Sequence, residues 1–123
     1  MDRYLMIALG GAMGSIARYQ LGTFIQARVP VGFPWGTFVV NISGCLVMGV
    51  VTTLLTDRLV DPNWRFLIPI GFIGAYTTFS TFEYDTHRLL HEGESLKGIL
   101  YLLGSVVLGL LAVRLGILLA AWK

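Results

Sequence analysis

Charge is what this sequence has least of. Of its 123 residues only 13% are charged, while 55% are hydrophobic, and the mean hydropathy is +0.74. A water-soluble domain carries roughly twice that charged fraction, so a soluble globular body is excluded and an all-α integral membrane protein is expected. The few basic residues are scattered along the chain with a net charge of +2, and no basic cluster suggests nucleic acid. The single cysteine, Cys45, rules out a disulfide within the chain and sits midway along an apolar run, where packing is its expected role. No nucleophile–base pair stands out, which argues against an enzyme.

Four apolar stretches remain, at about 4–26, 35–56, 64–82 and 98–122. Each is near the roughly 20 residues that a helix needs to cross the hydrocarbon core. Tyr4, Trp35, Trp64 and Trp122 lie at their ends, as interfacial anchors do. Arg3 followed by apolar Tyr4 to Leu9 imitates a signal peptide, but the apolar pattern resumes beyond Arg18, so a retained first helix is expected. Pro30 to Pro34 separates the first two spans. Asp61 is placed to cap the third, with Pro62 at its first position. His91 to Ser95 separates the third from the fourth. These limits describe a single four-helix transmembrane domain.

Glycine is concentrated inside the spans. Gly10 and Gly14 form a small-xxx-small pair, and Gly44, Gly49, Gly71, Gly74, Gly104 and Gly109 follow. Small residues let helix backbones approach closely in lipid. Both termini and the loop between spans two and three share one side, with Arg3, Arg58, Arg65 and Lys123; the other side has Arg28, Arg88 and Lys97. So weak a bias leaves orientation open and permits insertion both ways round. Dual insertion allows an antiparallel dimer, and four short helices are too few to build a pathway alone.

The third span, from Gly71 to Phe82, crowds Thr77, Thr78, Ser80 and Thr81 into its second half. β-branched threonines, two glycines and Pro69 weaken a helix there. Either the backbone breaks near Ala75 to Thr81, as helices do at membrane ion sites, or it stays continuous with hydroxyls bonded to its own carbonyls. Asn41 is an amide among apolar neighbours, either an interhelical hydrogen-bonding group or a pore-facing donor. Arg18 either draws anions into a wet vestibule or snorkels to the interface; Arg114, nearer its helix end, favours snorkelling. Glu83, His87 and His91 share one helical face, a weak metal-binding pattern at the polar exit of the span.

Three segments together resemble the Fluc (CrcB-type) fluoride channel family: Gly10 to Tyr19 (GGAMGSIARY), Gly36 to Gly44 (GTFVVNISG), and Gly71 to Phe82 ending in Thr77-Thr78-Phe79-Ser80-Thr81-Phe82. Length and span number match as well. The resemblance implies an antiparallel, dual-topology homodimer, multi-pass in the cell (inner) membrane, with two pathways for passive fluoride export that limits toxicity. It implies a third helix broken mid-membrane and a central sodium ion held by the backbone carbonyls of Gly74 and Thr77 from both subunits. Phe79 and Phe82 would be the paired pore phenylalanines, Asn41 the pore amide and Arg18 the vestibule arginine. Ser80 and Thr81 would add polar lining, with Tyr101 and Ser105 facing the pore from the fourth helix. The sequence departs from the family at Ala75, where a second glycine is common, at Glu83-Tyr84-Asp85, where a small Ser and then a Glu are usual, and at Gly109, where a hydroxyl would continue the polar track.

The chemistry fits beside the name. A pore for strongly hydrated fluoride replaces lost water with donors, which Asn41, Ser80, Thr81, Tyr101 and Ser105 supply. The positive edges of Phe79 and Phe82 offer weak contacts that let the ion leave; the bland alternative for both rings is core packing or a lipid-facing position. No lysine is present in this filter to trap the ion, and no nucleotide-binding loop or mid-span carboxylate drives active transport. A small multidrug transporter, also a four-span dual-topology dimer, is the rival; it needs an acid in the first helix, where this chain has Arg18. A structural subunit whose polar groups only join helices is a third possibility.

Overall fold

In the computed structural model, which describes residues 2–57 and 60–122, helix follows helix along the chain. Arg58 and Lys123, counted above toward membrane orientation, lie outside the described residues. α1 spans Arg3–Gln26, and its start is set by Asp2, whose carboxylate accepts a hydrogen bond from the Tyr4 N–H at 3.0 Å. α2 spans Trp35–Asp57. The connection between them is tied by Gln26. Its amide nitrogen donates to the Phe33 carbonyl and its amide oxygen accepts from the Gly36 N–H, both at 3.1 Å. That side chain satisfies one of the donors that every helix start leaves without a partner. Gly32, at φ 125°, makes the turn that brings α2 back alongside α1.

The third stretch divides in two. Asp61 opens it, accepting from the Asn63 N–H at 2.9 Å, and three tight i→i+3 bonds lead in. α3 is a wide π-helical segment, Phe66–Ile73, continued by a single α-turn, Gly74–Tyr76. Pro69 explains the widening. It has no N–H to donate and would collide with the carbonyl of an ordinary preceding turn. The Gly74 N–H accordingly reaches five residues back to the Pro69 carbonyl. Thr77 (φ −82°, ψ 156°) and Thr78 (φ −146°, ψ 116°) are extended, and α4 begins immediately afterwards at Phe79–His91. α4 runs well past Phe82 and closes on a Schellman turn: the Glu94 N–H reaches the Leu89 carbonyl at 2.9 Å, with Gly93 at φ 80°. α5 spans Ser95–Ala121. Among the described residues, α2 and α5 are the helices long and apolar enough to cross a membrane by length and composition.

Glycine sets how these helices touch. α2 packs along α5 and α1 along α3 more extensively than any other pairs. At the first crossing, a Cβ on Gly49 would strike the Val113 carbonyl and one on Gly116 the Leu46 carbonyl. At the second, Gly10 and Gly14 lie against the backbone of Leu67 and Phe72. The close-packing role expected of Gly10 and Gly14 is what the structure assigns them. Gly49→Val should therefore force α2 from α5 and lower stability by about 1–3 kcal/mol, read as a drop in thermal unfolding temperature in detergent. An unchanged unfolding temperature would mean that the two backbones do not approach this closely.

Candidate functional site

The extended pair Thr77–Thr78 leaves backbone polar groups without helical partners, which hydrocarbon does not tolerate. Three side chains deal with them. Asn41, in the second turn of α2, accepts from the Thr78 N–H at 2.8 Å and donates through Nδ2 to the Thr78 carbonyl at 3.1 Å. One amide thus satisfies both backbone groups of one residue, as a neighbouring β-strand would. Arg18, from α1, donates through Nε to the Ala75 carbonyl at 3.1 Å. A cation at the C-terminal end of α3 also meets the negative end of its dipole. The Thr78 hydroxyl caps α4, accepting from the Thr81 N–H at 3.4 Å. Gly44 makes room: a Cβ there would meet the Thr77 methyl. Among the described residues, no hydrogen bond reaches the Gly74 or Thr77 carbonyl.

The side chains proposed from sequence separate into two cavities. Asn41, Phe79, Phe82 and Ser105 line one of about 320 Å³, together with Thr77 and Thr78. Arg18 and Thr81 line a cleft of about 440 Å³ on the other side, with Gln26, Asp85 and Arg88. Thr78 lines both, so the interruption stands between them. Ser80 is exposed on α4 and lines neither. Phe79 is 74% exposed and Phe82 only 6%, with ring centroids 6.0 Å apart. Phe82 packs edge-on against Tyr101 at 5.1 Å in the small core of the chain. Tyr101 is fully buried, and its hydroxyl donates to Asp85 Oδ2 at 3.4 Å. The Ser105 hydroxyl is buried with no hydrogen-bond partner among the described residues. Glu83, His87 and His91 are exposed, the two imidazoles stack at 5.9 Å, and no metal-ligating group of three forms among the described residues.

A family model described as "CrcB-like protein, Camphor Resistance (CrcB)" matches residues 5–117. The chain belongs to the CrcB family. Similar CrcB-type relatives include a protein of Solibacter usitatus, 54% identical over 119 residues that cover 96% of this chain and 98% of the relative. Another, from Acidobacterium capsulatum, is 50% identical over 93% of this chain and 92% of its own length. A Thermus thermophilus protein is 43% identical over 94% and 91%. Each of the three is named "Fluoride-specific ion channel FluC". The apolar helices and the family together make this CrcB protein a membrane protein.

Several of its contacts escape a sequence reading. Gln26 ends a helix like any polar residue; only the spacing across Pro30 to Pro34 brings it to Gly36. Thr78 is one of four neighbouring hydroxyl residues, and nothing in the order of those residues singles it out as the cap. Asp85 marks a departure from the family pattern in sequence. In the structure it accepts a hydrogen bond from the Tyr101 hydroxyl at 3.4 Å and lies 4.0 Å from the Arg88 guanidinium. Arg18 does what neither sequence reading contained: it lines the cleft while holding a carbonyl of the interrupted helix. Arg18→Met should remove a charge-assisted hydrogen bond and lower stability by about 1.5–3 kcal/mol, measured by thermal unfolding. A smaller loss would indicate that water replaces the guanidinium at Ala75.

Proposed function

We propose that this protein is a fluoride-selective channel that exports fluoride passively and so limits its toxicity. The observation that carries the reading is the interruption at Thr77–Thr78, held by Asn41 between two cavities. The names of the matched relatives point the same way, and they give the multidrug transporter no support. We read the chain as four spans in the cell (inner) membrane, the third being α3 and α4 interrupted at membrane depth, and as an antiparallel, dual-topology homodimer.

The interruption creates two unlike helix ends. α4 begins with N–H groups and the positive end of its dipole, which favours an anion. Asn41 Nδ2 has two hydrogens and spends one on Thr78, leaving one for fluoride. The Thr81 hydroxyl receives a hydrogen bond from Thr78 and keeps its own proton to donate. The unpartnered Ser105 hydroxyl offers a further donor in the phenylalanine cavity. Phe79 and Phe82 present positive ring edges, contacts weak enough to release the ion. Ser80 and Tyr101 stand at the margins of this path, Ser80 outward and Tyr101 as the support behind Phe82. Arg18 raises anion concentration in its cleft.

The other helix end is negative and suits a cation. The carbonyls of Gly74 and Thr77, which no donor among the described residues reaches, fit sodium as oxygen ligands, and the two copies in the dimer would supply them together. When bound, the ion would add a fixed positive charge beside the anion path.

Growth provides the test. A bacterial strain lacking its own fluoride exporter should regain growth in fluoride medium when it expresses this chain, with no gain against a toxic lipophilic cation. Protection against the cation alone would favour the multidrug reading, and protection against neither would favour the structural one.

A further inference from the structure

A third cavity, of about 490 Å³, lies away from both described above, between α1 and the start of α3. Its size is that of a small-molecule site. Met6, Leu9 and Met13 line it from one face of α1, and Leu67 from α3; Asp61, Asn63 and Trp64 stand at its mouth. The lining therefore changes along its length from polar to purely apolar. Met13 lies ten residues beyond Arg3, the first residue of α1. At 1.5 Å per residue that is about 15 Å, half the thickness of the hydrocarbon core. On the reading that α1 crosses the bilayer, the groove runs from the interface to mid-membrane and is as deep as one leaflet. Trp64 sits where an interfacial aromatic belongs.

Charge selects the occupant. Asp61 is the one charged side chain lining the groove among the described residues. Its carboxylate is held at the mouth by the Asn63 N–H at 2.9 Å. Among the described residues, the cations nearest in sequence to the lining lie over aromatic rings, Arg65 over Phe66 and Arg3 over Tyr4. A lone carboxylate favours an ammonium and repels an anionic headgroup.

We propose that this groove binds a phospholipid of one leaflet whose headgroup carries a primary ammonium, with an acyl chain lying along Met6, Leu9 and Met13 and the ammonium at Asp61. The thioethers of Met6 and Met13 adapt to a chain of variable shape.

The experiment is native mass spectrometry of the full chain, released from detergent after incubation with phosphatidylethanolamine or phosphatidylglycerol of identical acyl chains. The wild type should retain phosphatidylethanolamine over phosphatidylglycerol by about threefold, the scale of an exposed ion pair. Asp61→Asn keeps the turn, since Asn also accepts from the residue two further on, and should remove that preference. Leu9→Trp fills the groove and should reduce retention of both lipids. No preference in the wild type, or a preference that survives Asp61→Asn, would overturn the proposal. So would lipid retention unchanged in Leu9→Trp; if the dimer mass were lost as well, a second copy of the chain would be the occupant. Fluoride protection in cells is scored separately, so failure of the lipid site and failure of the channel reading are distinguishable.

Discussion

Asn41→Ala should be the most damaging single substitution in the protein, losing both fold stability and fluoride flux. The amide at this position holds the N–H and the carbonyl of Thr78 at once. Alanine leaves both without partners in a part-buried site, and each unsatisfied group costs about 1–3 kcal/mol. The expected loss is thus about 2–6 kcal/mol, read by thermal unfolding of the purified protein. Flux should fall by at least tenfold, which needs only ~1.4 kcal/mol of lost organisation at the pathway. Asn41→Asp sharpens the argument. A carboxylate still accepts from the Thr78 N–H but repels the Thr78 carbonyl, and it brings a negative charge to an anion path. Its protonated form donates as the amide does. Low pH favours the form that makes both bonds, so the variant should be more stable at pH 5 than at pH 8, whereas an aspartate equally solvated folded and unfolded would add no pH dependence. Equal stability at the two pH values would mean that Asn41 is not the clamp.

The phenylalanine pair should separate transport from folding. Phe79 is 74% exposed, while Phe82 is 6% exposed and packs on Tyr101. Phe79→Ile removes no buried packing and should leave stability within about 0.5 kcal/mol of wild type. Phe82→Ile loses an aromatic contact and fills the core less well, and should lower stability by about 1–3 kcal/mol. Both should lower fluoride flux by at least tenfold, because an aliphatic side chain has no positive edge to offer an anion. Thermal unfolding and flux measured on the same preparations check this. If flux loss simply followed stability loss, so that Phe79→Ile conducted normally, the rings would be packing groups and the cavity they line would not be the pathway.

Much of this arrangement was legible in the sequence because lipid restricts what a helix may carry. Gly10 and Gly14 mark a close helix crossing by spacing alone, and the structure puts backbone against both. Asn41 and Arg18 stand out because an amide and a guanidinium among apolar residues need partners. What the sequence does not disclose is which partner. Arg18 reaches 57 positions along the chain to Ala75, and Asn41 reaches 37 to Thr78. Those pairings depend on how α1 and α2 lie against α3, which no local pattern encodes. The π-helical widening around Pro69 is hidden for a related reason: proline signals a disturbed helix but not the form that the disturbance takes. Tyr101 shows the limit of reading polarity as function. A phenol on an apolar helix is visible in the sequence, but its burial behind Phe82 and its bond to Asp85 appear only once α4 and α5 are packed.

The most direct test of the central claim is fluoride efflux from liposomes holding the purified protein, followed with a fluoride electrode beside a parallel chloride assay. The account predicts rapid loss of fluoride with little loss of chloride. Folded protein that releases no fluoride, or releases chloride equally fast, would contradict it.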